Sequence, residues 1–138
     1  MAVHRARFTV GTRSRVEVRN ITPEVLQALR GCPLREGILC VSLPHTTCAL
    51  ALNEDEGGLR QDLERLAAGL LDPLRHAGSF IHDRIDNNAQ SHLTATLLSP
   101  SLTVSMTGGA PSLGTWQSVL LVEMDGPRTR IVDLTVVG

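Results

Sequence analysis

The chain has 138 residues, 42% of them hydrophobic, and a formal charge of −1 at pH 7, which suits one globular domain, residues 1–138, with a single core. The near-neutral charge and the scarcity of aromatics (Phe8, Phe80 and Trp116) argue against nucleic acid as a partner, and because all 13 cations are arginine, lysine Schiff-base chemistry and a phosphate-loop lysine are excluded. No apolar run approaches the roughly 20 residues that span a bilayer, and no apolar signal core follows the first charges, so the expectation is a cytoplasmic protein with no membrane partner.

Residues 5–20 alternate apolar and polar around Gly11-Thr-Arg-Ser14, which predicts a β-hairpin. Thr22-Pro23-Glu24 opens a helix, with threonine as N-cap and an acid in the first turn; Gly31 and Pro33 stop it. Residues 38–43 form a short apolar strand, and Cys48–Asn53 a second. Leu59, Leu63, Leu66 and Leu70 recur at helical spacing, and Pro73 ends that helix. A loop over 74–87 leads to a helix near 88–98 with Ala89, Leu93 and Leu97 as its buried stripe, broken at Ser99-Pro100. Strands follow near 102–106, 116–124 and 128–137, the last two joined through the turn signal Asp125-Gly126. The predicted class is α+β, a mainly antiparallel sheet with two to three helices packed against it.

Three histidines carry the chemical interest. His45 ends the apolar strand and opens His45-Thr46-Thr47; His82 and His92 flank Asn87-Asn88-Ala89. Imidazole is the commonest zinc ligand and the usual proton carrier near neutral pH, so their convergence would make a metal centre with an open fourth position. Each is equally a structural histidine hydrogen-bonded inside the fold. Asn88 and His92, four apart on a helix, rise from one face, so Asn88 either orients the imidazole or caps the helix. The loop Gly114-Thr115-Trp116-Gln117 offers backbone amides to an anion, or is a plain turn, with Trp116 packing in the core. Arg128 and Arg130 could receive phosphate or pair with Glu123 and Asp125. Cys32, Cys40 and Cys48 lack any Cys-x-x-Cys spacing and read as reduced, buried thiols.

These residues resemble the YjbQ-like family, small proteins often described as secondary thiamine-phosphate synthases. The likeness covers nearly the whole chain. Its marks are His45-Thr46-Thr47 with Asn53-Glu54, Asp62-Leu63, His82, Asn88-Ala89 and His92-Leu93, and above all Leu113–Gln117 and Glu123–Arg130. Phe80 stands where a tyrosine is common, and Ser99-Pro100 where a glycine often ends the helix.

The resemblance implies a YjbQ-like α+β subunit that assembles as a homotrimer, with His45, His82 and His92 as metal ligands near subunit boundaries. The implied activity couples a hydroxymethylpyrimidine pyrophosphate to a thiazole phosphate and releases pyrophosphate, so the expected partner is a small phosphorylated metabolite. On that reading His45, Glu54, Asn88 and His92 are catalytic. Thr46, Thr47, Gly114, Thr115, Gln117, Arg128 and Arg130 hold substrate. The cofactor is a divalent metal: histidine ligands favour a zinc-like ion, whereas pyrophosphate departure favours magnesium on oxygen ligands such as Glu54 or Asp55. Two alternatives stay open: a zinc-type hydrolase with Glu54 as general base, and a noncatalytic trimer that binds a metal or metabolite.

Overall fold

The computed structural model describes residues 1–138 as two antiparallel sheets packed face to face, with helices on the outside of one of them. The strands are β1 (Val3–Gly11), β2 (Glu17–Asn20), β3 (Gly37–Ser42), β4 (Cys48–Asn53), β5 (Ser101–Thr107), β6 (Ala110–Pro111), β7 (Ser118–Glu123) and β8 (Thr129–Val137). The helices are α1 (Thr22–Ala28), α2 (Gly57–Gly69), α3 (Asp72–Ala77) and α4 (Ala89–Leu98), with short 3-10 turns at Leu29–Gly31 and Ile81–Arg84. One sheet has the order β1-β8-β3-β5-β6, the other β2-β7-β4. No helix is long and apolar enough to cross a membrane.

Side-chain alternation in β7 explains the layering. Val119 and Leu121 point into the space between the sheets, where they meet Leu39, Val41, Val132, Leu134 and Val136. Leu120, Val122 and Met124 point the other way and pack under Ala67 of α2 and Ala95 of α4. A strand buried on both faces reads as a continuous apolar run, as Val119–Val122 does. Helix α1 closes one end of the sandwich through Val25, which is fully buried beside Ile21 and Leu29.

Several sequence expectations change here. The predicted hairpin over residues 5–20 does not form: β1 pairs with β8, and β2 pairs with β7 in the other sheet. Alternation marks a strand but not its neighbour, and Arg7 finds its partner in Asp133 across β8, at 2.6 Å. Asp125-Gly126 likewise carries the chain from one sheet to the other rather than turning a hairpin. Ile21, not Thr22, occupies the N-cap of α1, and the Thr22 hydroxyl accepts instead from the Val119 amide at 2.8 Å. Pro73 does not end the long helix; it starts α3, where its missing N–H costs nothing. The stripe of α4 is also different. Ala89, Ser91, Thr94 and Ala95 are buried, while Leu93 and Leu97 face outward at 42% and 66% exposure. Trp116, expected in the core, is 72% exposed.

Candidate functional site

Both sheets contribute to one cleft. Where β3 leaves its sheet, Pro44, His45, Thr46 and Thr47 cross toward β4; where β7 ends, Asp125, Pro127 and Arg128 cross back to β8, whose first residues, Thr129 and Arg130, also line the cleft. The N-terminal end of α4 adds Asp86, Asn88 and His92. The cleft measures about 710 Å³, and apart from Pro44 and Pro127 its lining side chains are polar or charged. That volume falls in the range that holds small metabolites.

A buried ion pair forms its floor. Arg130 and Glu123 are 4% and 0% exposed, and the guanidinium engages both carboxylate oxygens, Nε reaching Oε2 at 2.7 Å. Glu123 also accepts from the Thr12 hydroxyl and from the amides of Met124 and Asp125, each at 2.9 Å. Burial pushes the Glu123 carboxyl up, but the Arg130 hydrogen bond, the Asp125 amide and Thr12 together hold it below its ordinary value. Arg130 donates onward to the Thr47 hydroxyl at 2.9 Å, so Thr47 is a structural link beneath the cleft. Cys48, beside this pair, is fully buried and its thiol is pushed up to about 11, which removes it as a nucleophile at neutral pH.

The cleft wall is a second chain of contacts. Arg128 grips Asp125 through Nε to the carbonyl at 2.8 Å and Nη2 to Oδ2 at 3.0 Å, and its side chain is half exposed. The same carboxylate accepts from Asn88 Nδ2 at 3.1 Å. Asn88 Oδ1 then meets His82 Nε2 at 3.1 Å, and the rings of His82 and His92 sit edge to face with centroids 4.8 Å apart. Asn88 occupies the N-cap position of α4 without capping it; Asp83 Oδ1 takes the Ala89 amide at 3.0 Å instead. Asn88 therefore orients His82 rather than His92.

The three predicted histidines come near one another but do not form a ligand set within one chain. The Ile131 amide donates to His45 Nε2 at 2.7 Å, His82 Nε2 is turned to Asn88, and no three His, Cys, Asp or Glu side chains gather closely enough to hold a metal ion. Only His92 borders both the polar cleft and the apolar pocket behind it, which Phe80, Ile81, His82, Ala89 and Leu93 line. Within one chain, these donors do not assemble a zinc-type centre.

The remaining predicted residues divide cleanly. Thr46, Thr47, Arg128 and Arg130 line the cleft, although the charge of Arg130 is already matched by Glu123. Glu54 does not. Strand β4 starts beside the cleft, at Cys48 opposite Glu123, and runs away from it to Asn53 opposite Ser118. Six residue steps from Cys48 place Glu54 just past the far end of the strand, roughly 20 Å away. Gly114, Thr115 and Gln117 lie at that same far end, before Ser118, and the Gly114 amide is taken by the Gln117 side chain at 2.8 Å. The Gln117 amide in turn donates to the Gly114 carbonyl at 3.0 Å, so two of the loop's amides are taken within the turn. Sequence reasoning assigned no site role to Asp86 or Thr129, which carried no local signal, and treated Asp125 only as a turn residue and pairing partner.

The family profile described as "UPF0047 protein YjbQ-like" matches residues 6–138. A UPF0047 protein of Archaeoglobus fulgidus is 43% identical, with 91% of this chain and 94% of the relative covered. A UPF0047 protein of Methanothermobacter thermautotrophicus is 41% identical over all of this chain and 94% of its own length. Among solved structures, a hypothetical protein from Aeropyrum pernix K1 superposes with a TM-score of 0.89 at 38% identity, covering 98% of both chains. A YbjQ-like protein of unknown function from Sulfolobus solfataricus P2 gives 0.89 at 32% identity, covering 99% of this chain and 98% of that one.

Proposed function

We propose that this chain, which belongs to the UPF0047 YjbQ-like family, binds a small phosphorylated metabolite in its cleft and transfers a group from it with loss of pyrophosphate. The observation that carries this reading is the cleft itself: a metabolite-sized, mostly polar cavity where Arg128, His45 and Thr46 face the same space. In the thiamine-phosphate-type reaction, the bond from the pyrimidine methylene carbon to pyrophosphate breaks and its electron pair leaves with the pyrophosphate. The thiazole nitrogen lone pair forms the new C–N bond, so neither an oxidant nor a proton donor is required. The demand on the protein is to hold both rings in line and neutralise the departing charge. Arg128 suits the second task, because Asp125 fixes two of its nitrogens and leaves Nη1 for a phosphate oxygen. Should a divalent cation take part, Asp86 and the pyrophosphate itself supply oxygen donors that suit magnesium, arriving with the substrate.

The test is pyrophosphate release from hydroxymethylpyrimidine pyrophosphate and thiazole phosphate. Arg128→Ala is expected to slow it roughly a hundredfold, as loss of a preorganised charge donor does, with little change in thermal unfolding. Undiminished release by that variant overturns the assignment.

We also propose self-association as a homotrimer through the apolar face that carries Ile81, Leu93 and Leu97. Ile81 and Leu93 border one pocket, and Leu97 lies one turn further along α4; all three are exposed in the single chain. Sedimentation equilibrium should give three times the mass of one chain. Leu97→Glu, which places a charge in that face, should shift the mass toward a single chain. A monomeric wild type at every concentration rejects it.

A further inference from the structure

We infer that His45 serves the cleft as a neutral hydrogen-bond donor through Nδ1–H, and is neither a metal ligand nor a proton acceptor. The argument starts at the strand. β3 pairs with β8 from Ile38↔Val137 to Ser42↔Asp133 and then departs toward Pro44. Two residues further along β8, the amide of Ile131 finds the His45 ring at 2.7 Å. An unpaired amide at that point would be costly, so the imidazole takes the place of the missing ladder acceptor.

An amide N–H can only donate. Nε2 must therefore present its lone pair, and a neutral imidazole that does so carries its proton on Nδ1. Such a ring has no second lone pair for a metal or for a substrate proton. A doubly protonated ring would set one N–H against another at 2.7 Å. The surroundings favour the neutral form as well: burial and the nearby Arg130 guanidinium lower the affinity of His45 for a second proton, against smaller opposing pulls from Glu123 and Asp133. Nδ1–H has no hydrogen-bond partner within the chain, and the ring borders the same cleft as Thr46 and Arg128. The group it would meet there is a phosphate oxygen, and this half of the inference rests on the anion-binding reading above.

The two halves can be tested apart. Histidine-selective 15N spectra of the full chain at pH 7.5 contain five imidazoles, with His45 identified by its loss in His45→Gln. His45 is expected as the Nδ1–H tautomer, its nitrogen shifts unmoved by added zinc. His45→Gln keeps a carbonyl for the Ile131 amide but takes the N–H away from the Nδ1 position, so it should fold with an unchanged midpoint and bind inorganic pyrophosphate roughly tenfold more weakly by calorimetry. His45→Asn keeps an N–H near the Nδ1 position and loses the acceptor, so it should lose stability and hold pyrophosphate within about threefold. An Nε2–H tautomer, or zinc displacing the His45 resonances, overturns the tautomer assignment. Wild-type affinity in His45→Gln overturns the donor role. A wild-type protein that ignores pyrophosphate removes the anion-binding reading, and the donor role with it, whatever the tautomer.

Discussion

Arg130→Met should lower the free energy of unfolding by about 3–5 kcal/mol, the usual cost of leaving one member of a buried ion pair alone. Glu123 is fully buried, and methionine fills the volume of the arginine stem without offering a donor. Urea denaturation measures the loss as a lower midpoint with an unchanged slope. The pH dependence gives a second reading. In the wild type, Glu123 is held below its ordinary value near 4.5, so its contribution is complete above that pH and is lost as pH falls through the lower folded value. Without Arg130, the Thr12 hydroxyl and the Asp125 amide are left to oppose burial, and the carboxyl rises. Stability tied to a raised pKa is present at low pH and lost as pH rises, so the gap between variant and wild type should narrow on acidification. Glu123→Gln in the Arg130→Met background should recover at least half the loss at neutral pH. The amide oxygen in the Oε1 position still accepts from Met124 and Asp125, the amide NH2 in the Oε2 position donates to the Thr12 hydroxyl, and no buried charge remains. A double variant as unstable as Arg130→Met alone would show that the cost lies in packing instead.

The sequence shows the strands of this fold better than their partnership. Residues Cys48–Asn53 were readable as a strand because the run is short and apolar, and the cleft residues His45 to Thr47 were readable as a polar break after one. Pairing was hidden, because a period of two says which face is buried and not which strand lies alongside; hence β1 and β2, adjacent in sequence, sit in different sheets. The same blindness explains the misplaced site residues. Glu54 and the Gly114–Gln117 loop are joined to the cleft by β4 and β7, and only the antiparallel register shows that they sit at the wrong ends of those strands. Arg130 and Arg128 were both open to phosphate or to Glu123 and Asp125, and local spacing offered no choice between them. Burial decides it: the deeper arginine is consumed by its carboxylate, and the half-exposed one keeps a free nitrogen. His45 was legible as a residue of the site, but its role depends on an amide 86 positions away in the chain.

Gly126→Ala should be the most damaging methyl group that can be added near the cleft, costing about 3 kcal/mol and weakening pyrophosphate binding at least tenfold. A Cβ at Gly126 would overlap the carbonyl oxygen of Ser14 and lie 2.9 Å from both the Thr12 hydroxyl and Glu123 Cγ. Neither segment can retreat cheaply. The Gly126 amide donates to the Arg15 carbonyl at 3.0 Å, the Thr12 amide to the Arg128 carbonyl at 2.9 Å, and the Arg128 amide to the Thr12 hydroxyl at 2.9 Å. Relieving the overlap breaks at least one of these bonds, worth about 1 kcal/mol each, or drives the turn carrying Asp125 and Arg128 into the cleft. Gly108→Ala is the matched control. Gly108 has φ +63 with nothing within 4 Å of the added carbon, so it should cost only about 1 kcal/mol and leave pyrophosphate binding unchanged. The contrast separates two reasons for a glycine, backbone conformation at one site and space at the other. Equal losses in the two variants would mean that close packing between residues 12–15 and 125–128 does not hold the cleft wall in place, and the placement of Arg128 would need another cause.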